Sequence, residues 1–180
     1  MSLSLLKVPI IPTLTKDEAI KTIAEHHVKE KVVVLGIRGY IDGSNECGIY
    51  DDAIFIVSPN FFNAYNANTD PSVTRPGVAV LVPGVYYYKK GLHGISGPHP
   101  YLALRQFGRV TVLRDGKTVP ETDTAANPDY IDIHQGGFTT TSSLGCQTIH
   151  PNQWPNFRDH IFQEMERESQ PLVPYLLIQK

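Results

Sequence analysis

YIDIHQGGFTTTSSLGCQTIHPNQWPNF, Tyr130 to Phe157, runs from a strand through a glycine turn and a hydroxyl-rich loop to a cysteine and the start of a helix. Alternation along the strand puts Ile131 and Ile133 on one face and Tyr130, Asp132 and His134 on the other, so His134 is expected to point away from the apolar side. Gly136 and Gly137 allow a sharp turn, and Gly145 removes a side chain beside Cys146, where a substrate would approach the backbone. From Asn152 onward a helix is expected. Pro155 is tolerated in its first turn, and Trp154, Phe157, Ile161, Phe162 and Met165 recur at steps of three and four along one apolar stripe.

Working outward, Thr15 followed by Glu18 has capping-box spacing and starts a first helix with Ile20, Ile23, Ala24, His27 and Val28 on one face. Apolar and aromatic runs predict strands at Val32–Ile37, Ala53–Val57, Val78–Val82, Val85–Tyr88, Val110–Leu113, Tyr130–His134 and Tyr175–Ile178. Asp115-Gly116 supplies a two-residue hairpin turn after Leu113. Ser58 to Pro83, rich in asparagine, proline and glycine, reads as a long surface excursion. The expected fold is α+β, mainly β: a mixed β-sandwich or open barrel of about seven strands with two flanking amphipathic helices.

A chain of 180 residues suits one domain, read here as residues 1–180. Hydrophobic residues at 41% and charged residues at 19% describe a globular chain, and no apolar run approaches the roughly 20 residues of a membrane span. Sixteen basic against eighteen acidic side chains, with no basic stripe, argue against nucleic acid as a partner. Met1 to Leu14 carries Pro9 and Pro12 and does not read as a secretory signal. Synthesis in the cytoplasm is expected, and action in the periplasm or on a cell wall would follow lysis or non-classical export. Cys47 and Cys146 lie in no zinc-type spacing, so no metal is expected; a disulfide between them is left open.

A thiol nucleophile needs a base, because a free cysteine with a pKa near 8.5 is only slightly ionised at neutral pH. His134 is the candidate base for Cys146. Amides of Gly145 and Cys146 are candidates for an oxyanion site, and the base could be oriented by a carbonyl of the Gly136-Gly137 turn, by Asp132, or by a hydroxyl among Thr139 to Ser143. The competing readings are a small buried Cys146 and a satisfied His134 at a strand end.

The order HxG, then SxGC, a polar pair, an apolar residue, a proline and an amphipathic helix resembles the catalytic motif of the L,D-transpeptidase family over residues 131–161. The resemblance implies that Cys146 is the nucleophile and His134 the base, with Ser143 and Gly145 in the motif positions beside them. It also implies a β-sandwich catalytic domain, peptidoglycan stem peptides as substrate and no cofactor. Leu144 stands where the family's motif has a second histidine, Gln147-Thr148 replaces the usual residues after the nucleophile, and the twelve-residue step from His134 to Cys146 is short. These departures leave open whether the acyl group passes to an amine or to water.

His93, between Gly91 and Gly94, and Arg38 join Ser143, Leu144, Gly136 and Gly137 as candidate substrate-binding residues. Arg38 with Asp51-Asp52 also reads as an ion pair closing a loop, and Arg105 or Arg109 could receive a substrate carboxylate. Two alternatives are a sortase-like transpeptidase and a non-catalytic β-sandwich module of a phage particle that binds a glycan or a partner through Tyr86 to Tyr88 and the asparagine-rich loop.

Overall fold

The run VVVLGI has no alternation in sequence because both of its faces are covered in space. It forms β1 (Val33–Arg38), which pairs antiparallel with β2 (Asp52–Val57). In both strands the odd-numbered residues, among them Leu35 and Phe55, meet Ala19 and Ile23 of α1 (Lys16–Glu25), while Val34, Ile54 and Ile56 enter the main core. The period of two is therefore kept, and a helix on the outside hides it. The capping box at the start of α1 is formed on both sides, by the Thr15 hydroxyl and the Glu18 carboxylate.

The computed structural model describes residues 4–7, 11–41, 45–122 and 130–180; part of the amino-terminal segment read above, including Pro9, lies outside them. Within them follow β3 (Phe62–Asn68), β4 (Ala79–Leu81), β5 (Gly84–His93), β6 (Tyr101–Phe107), β7 (Arg109–Arg114) and β8 (Lys117–Thr122). The chain then continues through β9 (Ile133–Gln135), β10 (Gln147–Ile149), α2 (Trp154–Arg167) and β11 (Leu172–Gln179). A closed barrel runs in the order β1-β11-β5-β6-β9-β10-β3-β2, and β4-β7-β8 form a separate small sheet. The protein is mainly β with two helices, as its patterning predicts. No helix among the described residues is long and apolar enough to cross a membrane.

Closure of the barrel depends on a segment expected to be a surface excursion. Residues 58–83 contain β3, which bridges β2 and β10, and β4. Asn66 and Asn68 are fully buried, and the Asn66 backbone donates to Gln153 Oε1 at 2.7 Å and accepts from His150 N at 3.1 Å. Asparagines that mark turns in most sequences here serve a polar stretch of barrel wall. The Asp115-Gly116 hairpin forms as expected, with φ of 50° and 74° joining β7 to β8. Trp154, Phe157, Ile161 and Met165 of α2 are buried in the main core.

Arg38 is not available to a substrate. Its side chain is buried, with Nε 3.0 Å from Thr69 Oγ1, Nη2 2.6 Å from the Thr69 carbonyl and Asp70 at 3.5 Å. Beside it Asp52 accepts from Gly39 N at 2.6 Å and from both Thr69 N and Thr69 Oγ1 at 2.7 Å. These donors favour the charged form, yet burial outweighs them and pushes the Asp52 carboxyl up to about 7. The ion-pair reading of Arg38 fits, with Asp70 rather than Asp51-Asp52 as the partner.

Tyr88 is fully buried against Tyr175, and its hydroxyl has no hydrogen-bond partner among the described residues. Tyr88→Phe is therefore expected to stabilise the fold by about 1 kcal/mol in urea unfolding, since it removes an unpaired buried polar group without changing the ring. A loss of similar size would mean that the hydroxyl is bonded.

Candidate active site

The site is assembled by strand pairing. His93 and Tyr101 face each other on the last rung between β5 and β6. Leu104 of β6 pairs with Ile133 of β9, and β9 runs parallel to β10 with His134 opposite Thr148. Side chains far apart in the chain thereby meet beside Cys146, which stands immediately before β10.

His93 Nδ1 lies 2.8 Å from Asp132 Oδ2, and the other carboxylate oxygen accepts the Gln106 amide at 3.0 Å. The His93 ring stacks on that of His134, with centroids 3.9 Å apart and planes 12° from parallel. His134 Nδ1 sits 2.7 Å from the Gln135 carbonyl and 3.1 Å from the Tyr101 hydroxyl. A carbonyl can only accept, so Nδ1 of His134 carries the proton and Nε2 keeps the lone pair. The Asp132 carboxylate selects the same tautomer in His93. One ring nitrogen from each histidine and Cys146 Sγ all lie within 4.8 Å of one another.

His134 points away from the aliphatic side of its strand, as alternation predicts, but it is only 4% exposed. Burial, and after it the neighbouring His93, pushes its imidazole down to about 3; the Gln135 carbonyl opposes this weakly. His134 is thus a neutral ring across the ordinary pH range. His93 is the outer member of the pair, with its side chain 26% exposed, and Asp132 beneath it is buried.

Cys146 is half-buried, its thiol 3.2 Å from the Tyr130 carbonyl. Tyr130 lines two hollows. One, of about 340 Å³, is lined by Leu92, His93, Ile95, Tyr130 and Asp132. The other, of about 140 Å³, is lined by Gly77, Arg114, Tyr130, Leu144, Gly145 and Cys146. Arg105 covers the Tyr130 ring with its guanidinium 3.8 Å from the centroid. A larger hollow of about 760 Å³ lies between β5 and α2, lined by Lys89, Lys90 and Phe162, and holds none of these groups.

No family model matches the chain, nor does any curated protein or solved structure.

The motif residues beside Cys146 have more structural work than expected. Ser143 Oγ accepts Gly145 N at 3.0 Å and donates to the Cys146 carbonyl at 2.6 Å, while its own amide donates to Ser72 Oγ at 2.7 Å. The Gly145 amide can serve an oxyanion only if Ser143 lets go of it. A Cβ on Gly145 would stand 2.9 Å from Ile131 Cδ1 and 3.0 Å from Ala79 Cβ, so the wall behind it already requires glycine here. Leu144, by contrast, is 56% exposed on the rim of the smaller hollow. Cys47 and Cys146 are both thiols, Cys47 exposed and 3.5 Å from Thr74 Oγ1.

Gly136 and Gly137, expected to bind substrate, pack against Tyr50. The Tyr50 hydroxyl donates to the Gly137 carbonyl at 2.7 Å, and a Cβ on Gly136 would fall 2.1 Å from that oxygen. Gly136→Ala is expected to cost about 2–3 kcal/mol of stability through overpacking, and Tyr50→Phe in the same chain should recover part of it. Equal stability of Gly136→Ala and wild type in urea would contradict this packing.

Asp132 was one of three groups expected to orient His134; it holds His93 instead, and Gln135 with Tyr101 holds His134. Tyr101 is missing from the sequence expectations altogether. Its only sequence signal is a place in an apolar run, which does not mark a hydrogen-bonding role.

Proposed function

We propose that this protein is a cysteine acyl-transfer enzyme acting on the peptide stems of peptidoglycan. The observation that carries the reading is the grouping of Cys146 Sγ with two oriented imidazoles, all within 4.8 Å, beside hollows open to solvent. The resemblance of residues 131–161 to the L,D-transpeptidase motif supplies the substrate class. The Cys146 thiol gives its proton to an imidazole, and the thiolate attacks the stem amide carbonyl. Collapse of the tetrahedral oxyanion breaks the C–N bond, and the imidazolium returns the proton to the leaving amine. Water or an acceptor amine, losing its proton to the same imidazole, then resolves the thioester and frees the thiol. Leu144 and Arg114 rim the hollow beside Cys146, where they would meet the stem.

The test is mass spectrometry of purified muropeptides incubated with the protein. A cut stem, a trimmed terminal residue or a new cross-link supports the reading, and muropeptides unchanged across several stem lengths sink the substrate class.

The same three atoms favour one second reading, a zinc-type cation held by His93, His134 and Cys146 with an open fourth position. Asp132 and the Gln135 carbonyl would then be outer partners that fix both tautomers. Against it, rings lying face to face direct their lone pairs side by side rather than at one point, so one ring would have to turn. Stoichiometric metal in the purified protein, lost in Cys146→Ser, would support this reading; metal-free protein that turns over muropeptides would exclude it.

A further inference from the structure

We infer that the proton acceptor for Cys146 is His93, held by Asp132, and that His134 is a positioning residue rather than the base. This rests on the reading of Cys146 as a nucleophile and changes which residues activate it.

The two imidazoles are equivalent in tautomer but not in surroundings. When His93 accepts the thiol proton on Nε2, the new positive charge lies on a ring whose other nitrogen is 2.8 Å from a carboxylate, and a quarter of that side chain reaches solvent. Asp132 is itself fixed, because its second oxygen accepts the Gln106 amide at 3.0 Å. The same proton on His134 would place the charge in a buried ring whose Nδ1 partners are the Gln135 carbonyl and the Tyr101 hydroxyl, neither of which is an anion. Desolvation opposes that charge, and a like charge on the stacked His93 opposes it further. Cysteine, histidine and a buried carboxylate in series form the arrangement in which a third group orients the base and balances its charge.

Among the described residues, the titratable neighbours of His93 are Asp132 just before β9, His134 on β9, Tyr101 on β6, Cys146 before β10 and Tyr130, which lines the same hollow. Among them Asp132 carries the negative charge that answers an imidazolium, together with the thiolate itself. His134 fills the opposite role: its neutral face, tied to Gln135 and Tyr101, forms a wall against which His93 stacks at 3.9 Å. Sequence spacing hides this pairing, since 39 residues separate His93 from Asp132.

The experiment is the rate of Cys146 alkylation by iodoacetamide against pH, in the full chain carrying Cys47→Ser so that one thiol reports. No muropeptide is needed. Half-ionisation is expected well below the usual thiol value of about 8.5. His93→Gln should move it up by about one unit or more, and Asp132→Asn should move it in the same direction, because each removes part of the charge that stabilises the thiolate ion pair. His134→Gln should move it less than His93→Gln does. His93 is partly exposed, so its variant is the one expected to keep the fold if Asp132→Asn does not; thermal melts check both. A larger shift in His134→Gln than in His93→Gln would overturn the inference and return the base role to His134, leaving the proposed function intact. A parent thiol that already titrates near 8.5 would overturn the inference and remove the support for an activated nucleophile as well.

Discussion

Asp52→Asn and His134→Gln are expected to tilt the pH dependence of stability in opposite directions. The folded-state pKa of His134 is depressed to about 3 from 6.5, so across that interval the folded chain binds fewer protons than the unfolded chain. Its contribution to stability is present above pH 6.5 and is lost as pH falls toward 3. Asp52 has the opposite sign: its folded pKa is raised to about 7 from 3.8, so its contribution is present below 3.8 and is lost as pH rises toward 7. Each contribution has a ceiling of about 4–5 kcal/mol at 1.36 kcal/mol per unit, and over their common window the two slopes largely cancel. Urea unfolding at a series of pH values, read as variant minus wild type, should show stability rising from pH 4 to 7 in Asp52→Asn and falling from pH 4 to 6.5 in His134→Gln. A constant offset is expected in Asp52→Asn, because an amide nitrogen must face either the Gly39 or the Thr69 donor. The slope is the readout, and two variants that run parallel to wild type would mean that neither group titrates abnormally in the fold.

Cys146→Ala is expected to abolish muropeptide turnover, by at least roughly 10³-fold, because removal of a nucleophile leaves only whatever binding and electrostatic stabilisation persist. Cys146→Ser should be nearly as poor, since a hydroxyl beside the same imidazoles stays protonated where a thiol ionises. The fold should survive both changes. Cys146 is half-buried, and the turn around it is held by Ser143 through the Gly145 amide and the Cys146 carbonyl, which alanine retains. Intact-mass measurement of wild type during turnover should show a stem fragment joined to the protein as a thioester, absent in Cys146→Ala. Turnover within tenfold of wild type in Cys146→Ala would rule out the thiol mechanism, whatever the substrate.

Legibility in the sequence followed the reach of local physics. The capping box at Thr15, the Asp115-Gly116 turn and the apolar stripe of α2 depend on neighbours a few residues apart, and each appears in the fold. The run from Val32 to Ile37 read as a strand, but its unbroken hydrophobicity did not say that α1 covers one side. The strand β3 escaped notice because FNAYNAN offers asparagines where a strand usually offers branched residues. Its buried Asn66 and Asn68 make sense only once Gln153, His150 and Asp70 are beside them. At the candidate site, Cys146 and His134 were readable because one loop joins them. The partnership of His93 with Asp132, and of Tyr101 with His134, is a product of β5, β6 and β9 lying side by side. Glycine was readable as required at Gly136 and Gly145, but the packing reason, Tyr50 behind the one and Ile131 and Ala79 behind the other, appears only in the fold.

Closure of the eight-stranded barrel also bears on how copies of the chain can associate. A sheet that returns on itself offers no open backbone ladder on which another chain can template. Among the described residues, the outermost strands of the small sheet are β4 and β8. β4 is three residues long, and its Ala79 amide is already held by the Leu144 carbonyl. β8 carries Pro120, which has no N–H to offer, together with Lys117 and Glu121, so a flat apolar edge of the kind that seeds fibres is interrupted there too. Strand-by-strand polymerisation of the native state is thereby disfavoured at both of these edges.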